Sequence, residues 1–159
     1  MSHDKTLREQ LVKTIDWNEA HADFHAVVND FPAELRGRKP DGFPYSAWQL
    51  LEHIRLALWD ILEFSRDARH KSPKWPEGYW PNTAEPPSKD SWDKSVKAVT
   101  EHLDAMRKLI TDPARDLFGP LPHGTGQTLL RQALLVGDHN AYHLGQLVLL
   151  RKVLGTWKA

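Results

Sequence analysis

A chain of 159 residues is long enough to bury the core of one domain, so no disulfide or structural metal is needed merely to hold residues 1–159 together. Its 21 acidic and 21 basic side chains balance, and no stretch approaches the ~18 apolar residues of a membrane span; we therefore expect a cytoplasmic protein that binds neither nucleic acid nor a membrane. Because cysteine is absent, a disulfide framework, a thiolate metal site and a catalytic thiol of the protein's own are excluded.

The first two helical segments have apolar residues at steps of three and four, the spacing of one helix face. The first is predicted over residues 5–29, and one of its stripes carries Trp17, His21, His25 and Val28. The second begins after Pro44 with Ser46 as a plausible N-cap, because serine side chains accept hydrogen bonds from the first turn of a helix. One stripe of this second helix includes His53.

Two further helices follow with the same periodicity. The third is predicted from about Asp90 and closes before Pro113, and the fourth starts near Thr125 or Thr128 and ends at Gly155, a residue suited to the left-handed position after a helix. No segment has the alternation of a β-strand. The sequence therefore predicts an all-α protein, a four-helix bundle.

A long connection rich in proline and tryptophan joins the second and third predicted helices. Residues 71–89, KSPKWPEGYWPNTAEPPSK, contain five prolines and the aromatic residues Trp75, Tyr79 and Trp80. Proline stiffens the path, and large aromatic side chains are rare in segments that stay disordered. We expect an ordered loop strapped onto the bundle, either over its open end or by packing alone.

Two histidines of the fourth helix stand where apolar residues would be expected. His139 and His143 are one turn apart, so both imidazoles leave the same helix face, and they can reach one ion at about 2.0–2.1 Å. His53 occupies a similarly apolar stripe of the second helix. Together the three histidines make a candidate metal site with positions left open for water or substrate.

The competing interpretation is that each of these histidines is a core residue bonded to a carbonyl or a carboxylate. Gln146, one turn beyond His143, is a candidate for orienting a ligand, as are Tyr142 and Asp138. His21 and His25 are weaker candidates, because their helix is more polar. The remaining histidines are expected to be solvated: His3, His70, His102 and His123.

Several other site classes are excluded by residue type. A zincin helix needs a glutamate directly after its first histidine, and here Asn140 follows His139. Di-iron carboxylate bundles need repeated Glu-x-x-His motifs, which are absent. The GxSxG motif that would support a Ser-His-Asp hydrolase does not occur either.

The segments HADFHAVV, SAWQLLEHIRLALWDILEFSRD and DHNAYHLGQLVLLRKVLG, with the long gap between the last two, resemble the DinB-like superfamily of metal-binding four-helix proteins, which includes the YfiT-type proteins. The resemblance covers essentially the whole chain. It implies that a divalent metal, commonly nickel or zinc, is held by one histidine of the second helix and two of the last. These positions fall on His53, His139 and His143.

The resemblance also implies two kinds of function. Some members are thiol-dependent S-transferases that use bacillithiol or mycothiol, and one branch isomerises maleylpyruvate. By this analogy the ion would activate a low-molecular-weight thiol, or a water in a hydrolase, against a small electrophile near the Trp-rich loop. The alternative is a non-catalytic, metal-stabilised binding or dimerisation module with four or more protein ligands. Members of the family often form homodimers, so a homodimer is expected here.

Overall fold

The computed structural model describes residues 3–16 and 19–157, and within them the fold is all-α, with no strand. Two short 3-10 turns, Ala33–Leu35 and Glu77–Tyr79, lie in the connections. None of the described helices is both long enough and apolar enough to cross a membrane. The five α-helices are α1 (His3–Asp16), α2 (Phe24–Val28), α3 (Ala47–Arg66), α4 (Ser91–Thr111) and α5 (Leu129–Val153).

The prediction of one continuous first helix over residues 5–29 is wrong. Helix α1 ends at Asp16, and α2 begins only at Phe24. Asp23 has extended backbone angles, and its carboxylate accepts the backbone N–H of Ala26 at 2.8 Å. The extended backbone of Asp23 rules out a continuous helix through this position, and its side chain starts a new one. The proposed stripe is therefore broken, and its first member, Trp17, lies outside the described residues.

The ends of the longer helices follow their local sequence signals. Ser46 caps α3, and Gln49 completes a capping box by accepting the backbone N–H of Ser46 at 3.1 Å. Thr128 caps α5 through the backbone N–H of Arg131. Gly155 follows α5 with a φ of 71°, the left-handed conformation in which glycine avoids a side-chain clash. These three predicted boundaries are confirmed.

The four long helices pack around one apolar core, with α3 against both α4 and α5, and α1 against α5 and α4. Helix α1 approaches α5 closely at Gly137, where an added Cβ would lie 2.6 Å from the Thr14 methyl carbon and 3.1 Å from the Thr14 carbonyl oxygen. Fully buried side chains in the centre include Ile54, Leu58, Met106 and Leu147. The apolar faces of the long helices therefore meet in one core.

Two buried arginines attach the irregular segments to the helices. Arg8 of α1 donates to the carbonyls of Ile110 and Asp112 at 2.7 and 3.0 Å, and so satisfies the end of α4. Arg151 of α5 donates to the carbonyls of Val27 and Asn29 at 2.8 and 3.0 Å, at the end of α2. Terminal helix carbonyls lack partners within their own helix, so these guanidinium groups replace water there.

Residues 71–89 run along α3 towards its N-terminus. The Tyr79 hydroxyl donates to Asp60 in the second half of α3, at 2.6 Å. Further along the segment, the Ala84 carbonyl accepts a hydrogen bond from the Ser46 hydroxyl at the start of α3, at 2.5 Å. Between these two points Trp80 stacks on Tyr45 with a centroid separation of 4.0 Å. These contacts place the loop over the part of α3 between Ser46 and Asp60, which contains His53.

Candidate metal centre

The fold brings His53, His139 and His143 together. One ring nitrogen of each lies within 4.8 Å of the other two, although residues 53 and 139 are 86 positions apart in sequence. Helix α3 supplies His53, and adjacent turns of α5 supply the other two. The Nε2 atoms of His53 and His139 are 3.1 Å apart. His53 and His143 are buried and His139 is half-buried.

Each imidazole has an oxygen acceptor at Nδ1. The Nδ1–H of His53 donates to the Tyr79 carbonyl at 2.9 Å, and that of His143 donates to the Gln146 side-chain oxygen at 2.7 Å. The Asn140 side-chain oxygen lies 3.2 Å from Nδ1 of His139. Carbonyl and amide oxygens only accept hydrogen bonds, so these contacts place the proton of a neutral ring on Nδ1. Each Nε2 then carries a free lone pair, the form in which histidine binds a metal.

The surroundings also keep these rings neutral. Burial lowers the pKa of His53 to about 4, against a smaller opposing effect of its hydrogen bond to Tyr79, and the two neighbouring imidazoles lower it further. Burial likewise lowers the pKa of His143 to about 4 and shifts the pKa of His139 in the same direction. At pH 7 the three rings therefore need no proton displaced before they can bind a cation.

The donor set fits a divalent transition metal. In the neutral form just described, the Nε2 lone pairs of His53 and His139 face each other at 3.1 Å and repel unless a cation lies between them. Two nitrogens bound to one zinc at about 2.0–2.1 Å and a tetrahedral angle are roughly 3.3 Å apart. Among the described residues, no further histidine, aspartate or glutamate joins the cluster, so these side chains offer three ligand atoms.

Aromatic rings fix His53 and border the site. Trp80 stacks on His53 with centroids 3.9 Å apart and planes 5° apart, and Tyr45 stacks on Trp80 in turn. Trp75 lies 6.4 Å from His53, and Tyr142 makes an edge contact of 4.9 Å with His143. The last two rings are 66% and 65% exposed, so they flank the site on its solvent side. The loop aromatics were expected from the sequence, whereas the role of Tyr45 beside them follows only from the fold.

A hydrogen-bond network behind His53 was also missed from the sequence. Asp60 accepts from the Tyr79 hydroxyl at 2.6 Å and from His70 Nε2 at 2.7 Å, so it anchors the residue whose carbonyl holds His53. Burial and the bond to Asp60 raise the pKa of Tyr79 to about 12. The prediction that His70 is solvated is wrong. The available signal was Asp60 itself, which is two helical turns beyond His53 on the same face.

Of the other candidate residues, two contact the histidine cluster and two lie outside it. Gln146 contacts His143 as predicted, and Tyr142 touches the same ring only by its edge. His21 is exposed, with its Nδ1 near the carbonyl of the adjacent Ala22. His25 packs against the ring of Phe24 and does not join the cluster. Neither histidine of the N-terminal region supplies a fourth donor.

The histidine of the connection between α4 and α5, His123, also differs from its prediction. His123 was expected to be solvated, but its Nε2 lies 2.6 Å from the Phe64 carbonyl, an acceptor, at the end of α3. Its ring also makes an edge contact with the Phe64 ring. The connection between α4 and α5 is thus attached to α3 away from the three-histidine cluster.

Comparison with known proteins gives one match. The family model of the DinB superfamily matches residues 16–147, a segment that includes all three histidines of the cluster. No curated protein and no solved structure matches the sequence significantly. The matched segment runs from the end of α1 through most of α5 and thus covers most of the chain. The chain belongs to the DinB superfamily.

Proposed function

We propose that this protein binds one divalent ion, nickel or zinc, through the Nε2 atoms of His53, His139 and His143, and acts as a metal-dependent enzyme on small electrophiles. One observation carries the proposal: three neutral imidazoles converge, each with its Nδ1 against an oxygen acceptor. The Nε2 atoms of His53 and His139 are 3.1 Å apart, and one ring nitrogen of each histidine lies within 4.8 Å of the other two. A histidine that served only as a core residue would need no convergence with two others. The scaffold we propose is one domain, a four-helix bundle of α1, α3, α4 and α5.

The residues around the cluster have distinct roles in this proposal. The Tyr79 carbonyl and the Trp80 ring hold His53 in one orientation, and Gln146 does the same for His143. Such outer partners fix the tautomer and direction of a ligand and thereby raise its affinity for metal. A bound divalent ion lowers the pKa of a thiol or water in an open position and so supplies a nucleophile at neutral pH.

The reaction we propose first is thiol S-transfer. The thiol gives up its proton to solvent water, its sulfur forms a bond to an electrophilic carbon of the substrate, and the leaving group departs with the electron pair of the broken bond. The chain has no cysteine, so a sulfur nucleophile has to come from a low-molecular-weight thiol. With water as nucleophile, the same site would catalyse hydrolysis.

The second candidate is a non-catalytic module in which the metal stabilises a binding or dimerisation surface. It predicts a closed site with at least four protein ligands, as structural zinc sites have. The cluster offers three, and His21 and His25 lie outside it. The exposed apolar side chains of α5, such as Tyr142 and Val153, suit the homodimer that both candidates allow. Light scattering of the purified chain measures that assembly directly.

Metal content tests the proposal. Elemental mass spectrometry on untagged protein should find about one divalent ion per chain in the wild type, and much less in His53→Ala and His139→Ala. His21→Ala is the matched control, because it removes an exposed imidazole outside the cluster. Wild-type protein that stays free of metal after incubation with zinc and nickel would refute the site.

Activity separates the two candidates once metal binding is established. The protein loaded with zinc or nickel is mixed with a low-molecular-weight thiol and 1-chloro-2,4-dinitrobenzene, and release of chloride and formation of the thioether are followed. The enzyme hypothesis predicts turnover that is lost in His53→Ala and retained in His21→Ala. If metal removal lowers only thermal stability, and no thiol or ester substrate is turned over, the non-catalytic module is favoured.

A further inference from the structure

An apolar cavity of about 330 Å³ lies beside the histidine cluster. It is open to solvent on one side and is bordered by the turn before α3, by the first turns of α3 and by the second half of α5. Ligand sites for small molecules usually begin at about 300 Å³. None of the lining residues is charged; they are Gly42, Phe43, Pro44, Tyr45, Leu50, Gln146 and Leu149.

The cavity shares side chains with the supports of the histidines. Gln146 lines it, and the oxygen of the same amide accepts the Nδ1–H of His143 at 2.7 Å. Tyr45 lines it too and stacks on Trp80, whose ring in turn stacks on His53. A molecule seated in the cavity therefore touches the groups that orient two of the three imidazoles.

The lining defines the chemistry of a ligand. Its side-chain polar groups are the Gln146 amide and the Tyr45 hydroxyl. The oxygen of Gln146 is already an acceptor, whereas its NH₂ group has no hydrogen-bond partner among residues 3–16 and 19–157. An amide NH₂ donates and does not accept, so it suits a carbonyl or ether oxygen on the ligand. A carboxylate or an ammonium group would be desolvated there without a countercharge.

We propose that this cavity binds an uncharged, largely apolar small molecule carrying one hydrogen-bond acceptor, with the acceptor on the NH₂ group of Gln146. We assign the cavity as the binding site of the electrophilic substrate. This assignment rests on the proposed function, whereas the binding of a small molecule in the cavity does not depend on it. A polar, charged thiol has no complementary group in this cavity and must approach the cluster from its solvent side, past Trp75 and Tyr142.

Three naphthalene probes test the chemistry of the cavity by isothermal titration calorimetry. 2-Acetylnaphthalene has the apolar body and one acceptor, 2-ethylnaphthalene lacks the acceptor, and 2-naphthoate carries a charge. We expect the acetyl compound to bind about tenfold tighter than either of the others, as one hydrogen bond or one uncompensated charge would give. Equal binding of all three probes, or no binding of the acetyl compound, would overturn the proposal.

Variants of two exposed leucines on α5 test the location. Leu149 lines the cavity and is 53% exposed, and Leu134, on the same helix but outside the cavity, is 49% exposed. Leu149→Trp narrows the cavity and Leu149→Asp charges its wall; each should weaken binding of 2-acetylnaphthalene about tenfold or more. Leu134→Trp and Leu134→Asp should leave it unchanged. Similar affinities in all four variants would place the binding elsewhere and refute the assignment.

The same samples separate this proposal from the metal site. Metal content is measured on each, and the titrations are repeated after the metal has been removed with a chelator. Selective binding of 2-acetylnaphthalene by protein that takes up no zinc or nickel would support the cavity and refute the proposed function. One ion per chain without probe binding would refute the cavity and leave the metal centre standing.

Discussion

The hydroxyl of Tyr79 offers the sharpest test of how His53 is held. It donates to the nearly buried Asp60 at 2.6 Å, and the carbonyl of the same tyrosine accepts the Nδ1–H of His53 at 2.9 Å. Tyr79→Phe removes the hydroxyl and keeps both the carbonyl and the ring. The substitution therefore cuts the anchor of the loop without touching a candidate metal ligand.

The expected loss can be worked from this geometry. A hydrogen bond to a charged partner contributes about 1.5–3 kcal/mol, and Asp60 keeps only His70 when the tyrosine hydroxyl is gone. In a chain of this size that loss lowers Tm by about 4–10 °C. Because the Tyr79 carbonyl is then less firmly placed, zinc affinity should fall about tenfold, the lower end for partners of a metal-bound histidine.

Thermal unfolding of the metal-free protein and zinc competition against a chromogenic chelator measure the two effects separately. Tyr142→Phe is the matched control: this tyrosine also lies beside the cluster, but its side chain is largely exposed. We expect that control to stay within about 0.5 kcal/mol of the wild type. A Tyr79→Phe protein with unchanged zinc affinity would refute the positioning of His53 through Asp60, whatever its Tm.

Three further predictions concern stability. Gly145→Ala should stabilise the protein by about 0.5–1 kcal/mol, because nothing lies within 4 Å of the added methyl group. Gly137→Ala should destabilise the protein by about 1–3 kcal/mol, because its methyl group would collide with Thr14 of α1. Equal Tm values for the two variants would contradict this. Arg151→Met should lower the free energy of unfolding by at least about 3 kcal/mol in chemical denaturation, since it leaves the carbonyls at the end of α2 without partners. A smaller loss would mean that water replaces the guanidinium group. Finally, the pKa values of His53 and His143 are about 4 in the folded protein, below the value of 6.5 for an unperturbed histidine. As the pH falls below 6.5, these histidines become protonated in the unfolded chain before they do so in the folded protein, which favours unfolding. The metal-free protein should therefore keep its full stability above pH 6.5 and lose it as the pH falls towards 4, with a shallower slope in His53→Leu.

Local sequence determined the long helices and the spacing of the histidines. Ser46, Thr128 and Gly155 mark helix ends because the groups that cap a helix lie within a few residues of it, so the signal is contained in the sequence. The same reasoning placed His139 and His143 on one face of α5. It failed over residues 5–29, where α1 ends at Asp16 and a separate helix, capped by Asp23, begins at Phe24.

Only the tertiary structure decided what surrounds the histidines. The Tyr79 carbonyl that holds His53 is 26 residues away from it, and the stack of His53, Trp80 and Tyr45 joins the loop to the turn before α3. Contacts of this kind depend on how a loop crosses a packed helix, which no period in the sequence records. The sequence therefore identified the three imidazoles, because a helix repeats every 3.6 residues. The packing of α3, α5 and the loop determined the tautomers of these imidazoles, their neutral state and the apolar cavity beside them.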